Sequence, residues 1–218
     1  MGREQKTSYI VTWGGYLGLT LLLALPLSVL MVRSGLWQQG LMMYALSCAG
    51  ATLLLLIFIV LLLLPGFKAQ RAGLINRGLL LLPGCLLLLS LLTGRGDYPP
   101  IHDISTDTSD PPVFVTAQSQ RGEHANPLTI KPESIELQRE YYPKLSTLRN
   151  RRSLEENFER ALATADALGW QVYYSDAEQG IIEAVDTTAI MAFKDDVVIR
   201  LRNDGEATLI EKMTFIYL

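Results

Sequence analysis

Acidic residues are nearly absent from the first 96 positions of this 218-residue chain. That half contains 7 lysines and arginines and 1 acidic residue, a net charge of +6, whereas positions 97–218 contain 12 and 21, a net charge of −9. A single soluble domain would mix both signs over its surface, and a basic nucleic-acid-binding protein would not carry so acidic a half. The sequence therefore predicts two chemically different parts and no nucleic-acid partner.

Cysteine and histidine are also scarce, with 2 of each in the chain. Cys48 and Cys85 lie inside long apolar runs, where cysteine acts as a small apolar residue. The acidic half has no cysteine, and His102 and His124 are its histidines, which argues against a zinc site or a disulfide framework. The sequence also lacks a phosphate-binding glycine-rich loop and a serine nucleophile elbow. It predicts no cofactor and favours a non-enzymatic role.

Long uncharged runs are what the first half has instead. Thr7–Val32 has 26 residues without a charge, Ser34–Phe67 has 34 and Gly78–Gly94 has 17. About 20 apolar residues suffice for a helix to cross the bilayer, and the third run reaches that length if Arg77 extends its side chain to the interface. We expect a transmembrane region over residues 1–96 with helices at about 9–32, 41–64 and 74–94, and hence the lipid bilayer as a partner.

The basic residues around these helices predict an orientation. Arg3 and Lys6 precede the first helix, and the turn before the third helix contains Lys68, Arg71 and Arg77. Because basic loops stay on the cytoplasmic side, the N-terminus is expected in the cytoplasm. Three crossings then place residues 97–218 in the periplasm of a bacterium, as a domain attached to the inner membrane.

The acidic half is predicted to be an α+β domain. Proline-rich residues 97–150 are expected to wrap in extended form over the rest, with a short strand at Val113–Thr116. A helix should follow, because Ser153 and Glu156 form a capping box and Gly169 is a C-cap. Two-residue periodicity predicts four strands, and Asn203-Asp204-Gly205 predicts a hairpin between the last two. The expected fold is one main helix on a four-stranded, mainly antiparallel sheet whose other face is open. The four predicted strands are Trp170–Ser175, Gly180–Thr187, Val197–Arg202 and Ala207–Tyr217.

Several blocks of this half resemble a known family. Pro100–Asp107, the following Pro111–Phe114, Gly169-Trp170, Ile182–Val185 and Phe193–Arg200 occur in the order found in the family named domain of unknown function 1499. The resemblance spans about residues 98–210. It implies a bacterial, membrane-anchored member without an established activity, so no residue roles are implied. Members usually continue with an arginine- and serine-rich block, and residues 211–218 differ from it, which suggests a truncated or frameshifted end.

Two groups of polar residues are candidate ligand or interaction sites. Oxygen-bearing side chains alternate in the turn-rich segment after His102, and three of its aspartates are weak candidates for a hard cation such as Ca²⁺. The competing interpretation is that these side chains bind nearby backbone N–H groups. The second group lies on the third predicted strand, where adjacent residues should face opposite sides of the sheet. The first group is His102, Asp103, Ser105, Asp107 and Asp110, and the second is Asp195, Asp196 and Arg200.

These features favour an uncharacterised membrane protein that displays a small acidic domain. The domain is expected to bind a cell-envelope protein or a small ligand. One alternative is an envelope enzyme with a polar or divalent-metal site around residues 102–110. The other is a subunit of a larger membrane complex in which the helices carry the function.

Overall fold

The computed structural model describes residues 8–94, 96, 98–121 and 127–217. The chain divides into two compact units, Met1–Asp97 and Tyr98–Leu218. His124, one of the two histidines, lies outside the described residues.

The first unit contains three segments that are long and apolar enough to cross a membrane, Tyr9–Arg33, Trp37–Leu63 and Pro65–Thr93. The first two are the continuous helices α1 and α2. The third consists of a 3₁₀ helix at Pro65–Gln70, α3 at Arg71–Gly78, a 3₁₀ turn at Leu79–Leu81 and α4 at Leu82–Thr93.

The third helix, predicted at about 74–94, is thus interrupted by the 3₁₀ turn at Leu79–Leu81. Pro83 has no N–H to donate to the carbonyl of Leu79, and its ring crowds that carbonyl, so the preceding turn tightens. The three segments pack around buried Val11, Leu54, Phe58 and Leu74.

The second unit is built on a six-stranded antiparallel sheet, so the α+β class is confirmed. Its strand order is β1-β6-β5-β4-β3. β2 also pairs with β6, nearer to the start of that strand than β1 does. The four predicted strands are present as β3 to β6, with bounds that differ by up to three residues. The six strands are β1 (Asp103–Ser105), β2 (Leu148–Asn150), β3 (Gln171–Asp176), β4 (Ile181–Thr187), β5 (Lys194–Asp204) and β6 (Ala207–Tyr217).

The predicted main helix is α7 (Leu154–Ala167), and it follows two shorter helices, α5 (Ala117–Gln120) and α6 (Pro132–Tyr141). Its predicted capping box is present between Ser153 and Glu156. At its other end Gly169 has φ +76, and Trp170 N donates to Ala165 O at 2.9 Å, which is the Schellman arrangement. The helix covers one sheet face through Phe158, which packs on a buried cluster containing Ile182 and Val197.

The opposite face of the sheet is not open, and this prediction is wrong. Phe114, Leu128 and Ile130 pack there on a buried cluster that includes Val198 and Met213. These three residues belong to the segment predicted to wrap over the domain, and the described part of residues 98–150 is not uniformly extended. That part contains β1, β2, α5 and α6, and Val113–Thr116 is not a strand. Pro132 occupies the first turn of α6, where proline favours a helix rather than breaking it.

Residues 211–217 form the second half of β6. They pair with β5 on one side, and Met213–Phe215 also pair with β1 on the other. Glu211, Met213 and Phe215 are buried. The segment that departs from the family pattern therefore lies in the interior of the sheet.

Candidate functional site

The structure brings three of the predicted polar residues together on the face opposite α7. Asp107 and Asp110 lie beside Arg200, and they are joined by Arg202 and Glu211. We call these five residues the arginine–carboxylate cluster. Arg200 Nε lies 2.6 Å from Glu211 Oε2, and Arg202 Nη2 donates to Glu211 Oε1. Asp110 Oδ2 lies 3.2 Å from Arg200 Nη2 and 3.1 Å from Arg202 Nη1.

The position of Glu211 follows from hairpin register. A two-residue turn at Gly205-Glu206, with Gly205 at φ +62, pairs Asp204 with Ala207 and hence Arg200 with Glu211. Side chains at positions 200 and 202 share a face because strands alternate every residue. The predicted strand ends, Arg202 and Ala207, would instead pair Arg200 with Leu209, so Glu211 was missed because β5 extends two residues further than predicted.

The cluster binds the 105–110 loop to the sheet. Burial alone would raise the pKa of Asp107, but hydrogen bonds from the backbone N–H groups of Asp110 and Ser109, with Arg202 and Arg200 nearby, outweigh burial and lower that pKa. The Asp107 carboxylate accepts from Ser109 N at 2.9 Å and Asp110 N at 3.0 Å. These contacts match the interpretation of oxygen side chains as loop-ordering groups.

Of the other residues in the first predicted group, Ser105 reaches the cluster, since its hydroxyl donates to Asp107 O at 2.8 Å and accepts from Asp107 N at 3.2 Å. His102 and Asp103 form their contacts elsewhere. His102 is exposed, and its carbonyl accepts from Ile216 N. Asp103 is buried at the sheet edge, while Ser105 N donates to Gln138 Oε1 at 2.9 Å. Among the described residues, no group of three or more His, Cys, Asp or Glu side chains is placed to hold a metal ion.

Asp195 and Asp196 face opposite sides of the sheet, as expected for strand neighbours. Asp196 Oδ2 lies 2.7 Å from Arg121 Nε, and each side chain is 3% exposed. Burial raises the pKa of Asp196, and Arg121 counteracts part of that effect. Burial and the nearby Asp186 carboxylate raise the pKa of Asp195.

A second buried acid lies close to Asp196. Glu183 has no exposed surface, and its Oε2 accepts from Thr116 N at 3.0 Å and from Thr116 Oγ1 at 2.7 Å. Burial, then the charges of Glu183 and Asp196, raise the pKa of the Tyr173 hydroxyl. Glu183 and Asp196 thus bind Thr116 and Arg121 to this face of the sheet, so these two acids also have a structural role.

An open groove lies on the helix side of the sheet, at a place that the sequence analysis did not predict. Because α7 packs chiefly on β3 and β5, the neighbouring part of β6 and β2 is left beside the helix. The groove has a volume of about 340 Å³, and its floor includes Ile199, Ile210 and Trp170. We call it the α7–β6 groove.

Two cations line the α7–β6 groove. Lys212 Nζ lies 5.0 Å from the centre of the Trp170 ring, in a cation–π contact, and Arg160 projects from α7. The described residues that line the groove include no carboxylate. A second apolar cavity of about 350 Å³ lies on the other face beside Phe114 and Met213, and its described lining residues are all uncharged.

The comparison with known families agrees with the resemblance noted above. The family model described as "Protein of unknown function (DUF1499)" matches residues 103–212, about half of the chain, and the chain belongs to this family. The matched segment contains β1 to β5, α5 to α7 and about half of β6. No curated protein and no solved structure matches the chain.

Proposed function

We propose that this member of the family is a membrane-anchored binding protein, and that the α7–β6 groove takes a ligand with an apolar body and an anionic group. The observation that carries the proposal is the pairing of an apolar floor with Lys212 and Arg160. Small-molecule sites have this composition, with a mostly apolar lining and a few polar groups that fix orientation.

The charges of the domain favour an anionic ligand in the groove over other parts of the surface. Positions 97–218 have a net charge of −9, so an anion is repelled over most of the domain surface. In the α7–β6 groove the described charged residues are both positive. An anionic group therefore gains both from local attraction and from the low-dielectric surroundings of Trp170 and Ile210. The apolar body contributes about 0.8 kcal/mol for each buried methylene group.

The envelope-enzyme alternative gains no support from the described residues, because Asp107 and Asp110 are already bound by Arg200 and Arg202. A binding role remains the function that the geometry supports best. The complex-subunit alternative predicts that exchange of the helices for an unrelated anchor abolishes the cellular function, whereas the binding proposal predicts that function survives the exchange.

Binding in the groove can be measured through Trp170. In the full-length protein in nanodiscs, with Trp13→Phe and Trp37→Phe, Trp170 is the remaining tryptophan. We expect octanoate to change its fluorescence in a saturable manner, and uncharged octanol to bind about tenfold more weakly, because it forms no charge-assisted contact.

Lys212→Gln should weaken octanoate binding about tenfold and leave octanol binding unchanged. Lys194→Gln is the matched control, since Lys194 is an exposed lysine at the start of β5 that does not line the groove. Equal octanoate affinities in the two variants would refute the proposed anion site.

We further propose that the protein lies in a bacterial inner membrane with the N-terminus in the cytoplasm and the acidic domain in the periplasm. The three apolar segments and the basic turn with Lys68, Arg71 and Arg77 support this orientation. Periplasm-active reporters fused after Gly96 and after Leu218 should both be active. Activity of cytoplasmic reporters at both positions would reverse the assignment and direct the search toward cytosolic ligands.

A further inference from the structure

A polar cleft opens on the side of the membrane-spanning unit, between the first half of α1 and α3. Its volume is about 380 Å³, and it is lined by Thr12, Gly15, Tyr16, Asn76 and Arg77, with Leu19 and Leu80 further along. We propose that this cleft binds the phosphate group of an anionic phospholipid, with Arg77 as the main phosphate ligand. The inference is independent of the α7–β6 groove.

The close packing of Arg77 against α1 places its guanidinium in the cleft. A Cβ atom at Gly15 would lie 2.6 Å from both Cδ and Nε of Arg77, so only glycine allows the arginine to lie directly on the helix backbone. Arg77 Nη1 donates to Gly73 O at 3.2 Å, within α3. A guanidinium has five N–H donors in a planar fork, so this one hydrogen bond to the described residues leaves further donors for phosphate.

The sequence of this unit provides almost no negative charge to balance Arg77. Residues 8–94 contain no aspartate or glutamate, and Glu4 is the one acid among the first 96 residues. A partly buried arginine beside hydrocarbon needs an anion close to it, because an uncompensated charge there is costly. Anionic lipid headgroups are the negative charges available at a membrane surface, and basic pockets between membrane helices bind them.

The cleft lies near the end of α1 that carries three exposed aromatic residues. Gly15 lies six residues after Tyr9, the first residue of α1, which corresponds to about 9 Å along the helix axis. Tyr9, Trp13 and Tyr16 are exposed on the same part of α1, and the Trp13 and Tyr16 rings contact each other edge to face at 5.8 Å. Tyrosine and tryptophan concentrate at this interfacial level of a membrane.

The remaining lining residues complete a phospholipid site. The Thr12 hydroxyl and the Asn76 amide can donate to phosphate oxygens that Arg77 does not reach. Leu19 lies a further four residues into α1, so an acyl chain can follow Leu19 and Leu80 toward the membrane centre. Charged and apolar groups thus occur in the order in which a phospholipid presents them.

The test uses the full-length protein in detergent micelles and measures thermal unfolding as lipid is added. Phosphatidylglycerol should raise Tm in a saturable manner, and neutral phosphatidylcholine and inorganic phosphate should not. Arg77→Gln should increase the apparent dissociation constant for phosphatidylglycerol at least about tenfold. Arg77→Lys keeps the charge but loses the planar fork, so its dissociation constant should lie between those of the wild-type protein and Arg77→Gln.

Arg71→Gln is the matched control, because it removes the same charge from the same helix at an exposed residue that does not line the cleft. If Arg77→Gln does not fold, the double variant Thr12→Val with Asn76→Leu is measured in its place. It should also weaken phosphatidylglycerol binding. Equal losses in the Arg71 and Arg77 variants would overturn the site, as would an equal response to inorganic phosphate. If Glu4 is the partner of Arg77, Glu4→Gln will lower Tm as much as Arg77→Gln and the lipid response will be absent, which also overturns the proposal.

Discussion

Gly180→Ala is expected to lower the free energy of unfolding of the acidic domain by about 2–5 kcal/mol, because an overpacking cost of about 1–3 kcal/mol adds to about 1–2 kcal/mol for the left-handed backbone. A Cβ atom at this position would lie 2.2 Å from the carbonyl oxygen of Leu201. The oxygen cannot easily retreat, because Leu201 N donates to Gly180 O at 2.7 Å and holds the two strands together. Gly180 also has φ +67, a conformation that alanine adopts only with strain.

Gly205→Ala separates the effect of the close contact with Leu201 from the effect of the positive φ angle. Gly205 has φ +62, but nothing lies within 4 Å of a Cβ atom there, so the expected loss is the conformational cost alone, about 1–2 kcal/mol. Urea unfolding of the full-length protein in micelles, followed by Trp170 fluorescence after Trp13→Phe and Trp37→Phe, measures both. Equal losses for the two variants would contradict the close approach of Gly180 to Leu201.

Glu211→Gln should have an effect of similar size. Glu211 has no exposed surface, and its two oxygens accept from Arg200 and Arg202. Removal of one partner from a buried ion pair leaves a charge without compensation, which typically costs about 3–5 kcal/mol. Asp110 and Asp107 still lie beside the arginines, but Asp110 is 63% exposed and Asp107 pairs with Arg202 at 3.5 Å, so they compensate only part of the loss.

Asp204→Asn is the control for Glu211→Gln. It also removes a carboxylate from an arginine pair, but the side chains of Arg149 and Asp204 are 62% and 44% exposed. A surface pair of this kind contributes about 0–1 kcal/mol. The same unfolding measurement applies, and a loss for Glu211→Gln no larger than that for Asp204→Asn would show that the arginine–carboxylate cluster is not buried as described.

The parts of the fold that follow from sequence are those specified by neighbouring residues. Ser153 and Gly169 mark the ends of α7 through hydrogen bonds within one turn, and the Gly205 turn sets the pairing of β5 with β6. The three membrane segments are specified by apolar length alone.

The parts that were missed depend on distant residues. β1 and β2 have three residues each, too few for a periodic pattern, and they exist because β6 supplies their partners. The cover over the second face and the α7–β6 groove likewise arise from tertiary packing. Asp107, Asp110 and Arg200 were selected correctly as polar candidates, but their assembly around Glu211 required the register of the sheet.

The place of β6 in the sheet has a consequence for how the protein is made. β6 follows every other strand in the sequence and is the partner of β1, β2 and β5. Its contacts with the first strand region join residues such as Thr106 and Lys212, which are 106 positions apart. Until β6 leaves the ribosome, β1 and β2 have no partner strand, so the sheet is completed only after β6 has been synthesised.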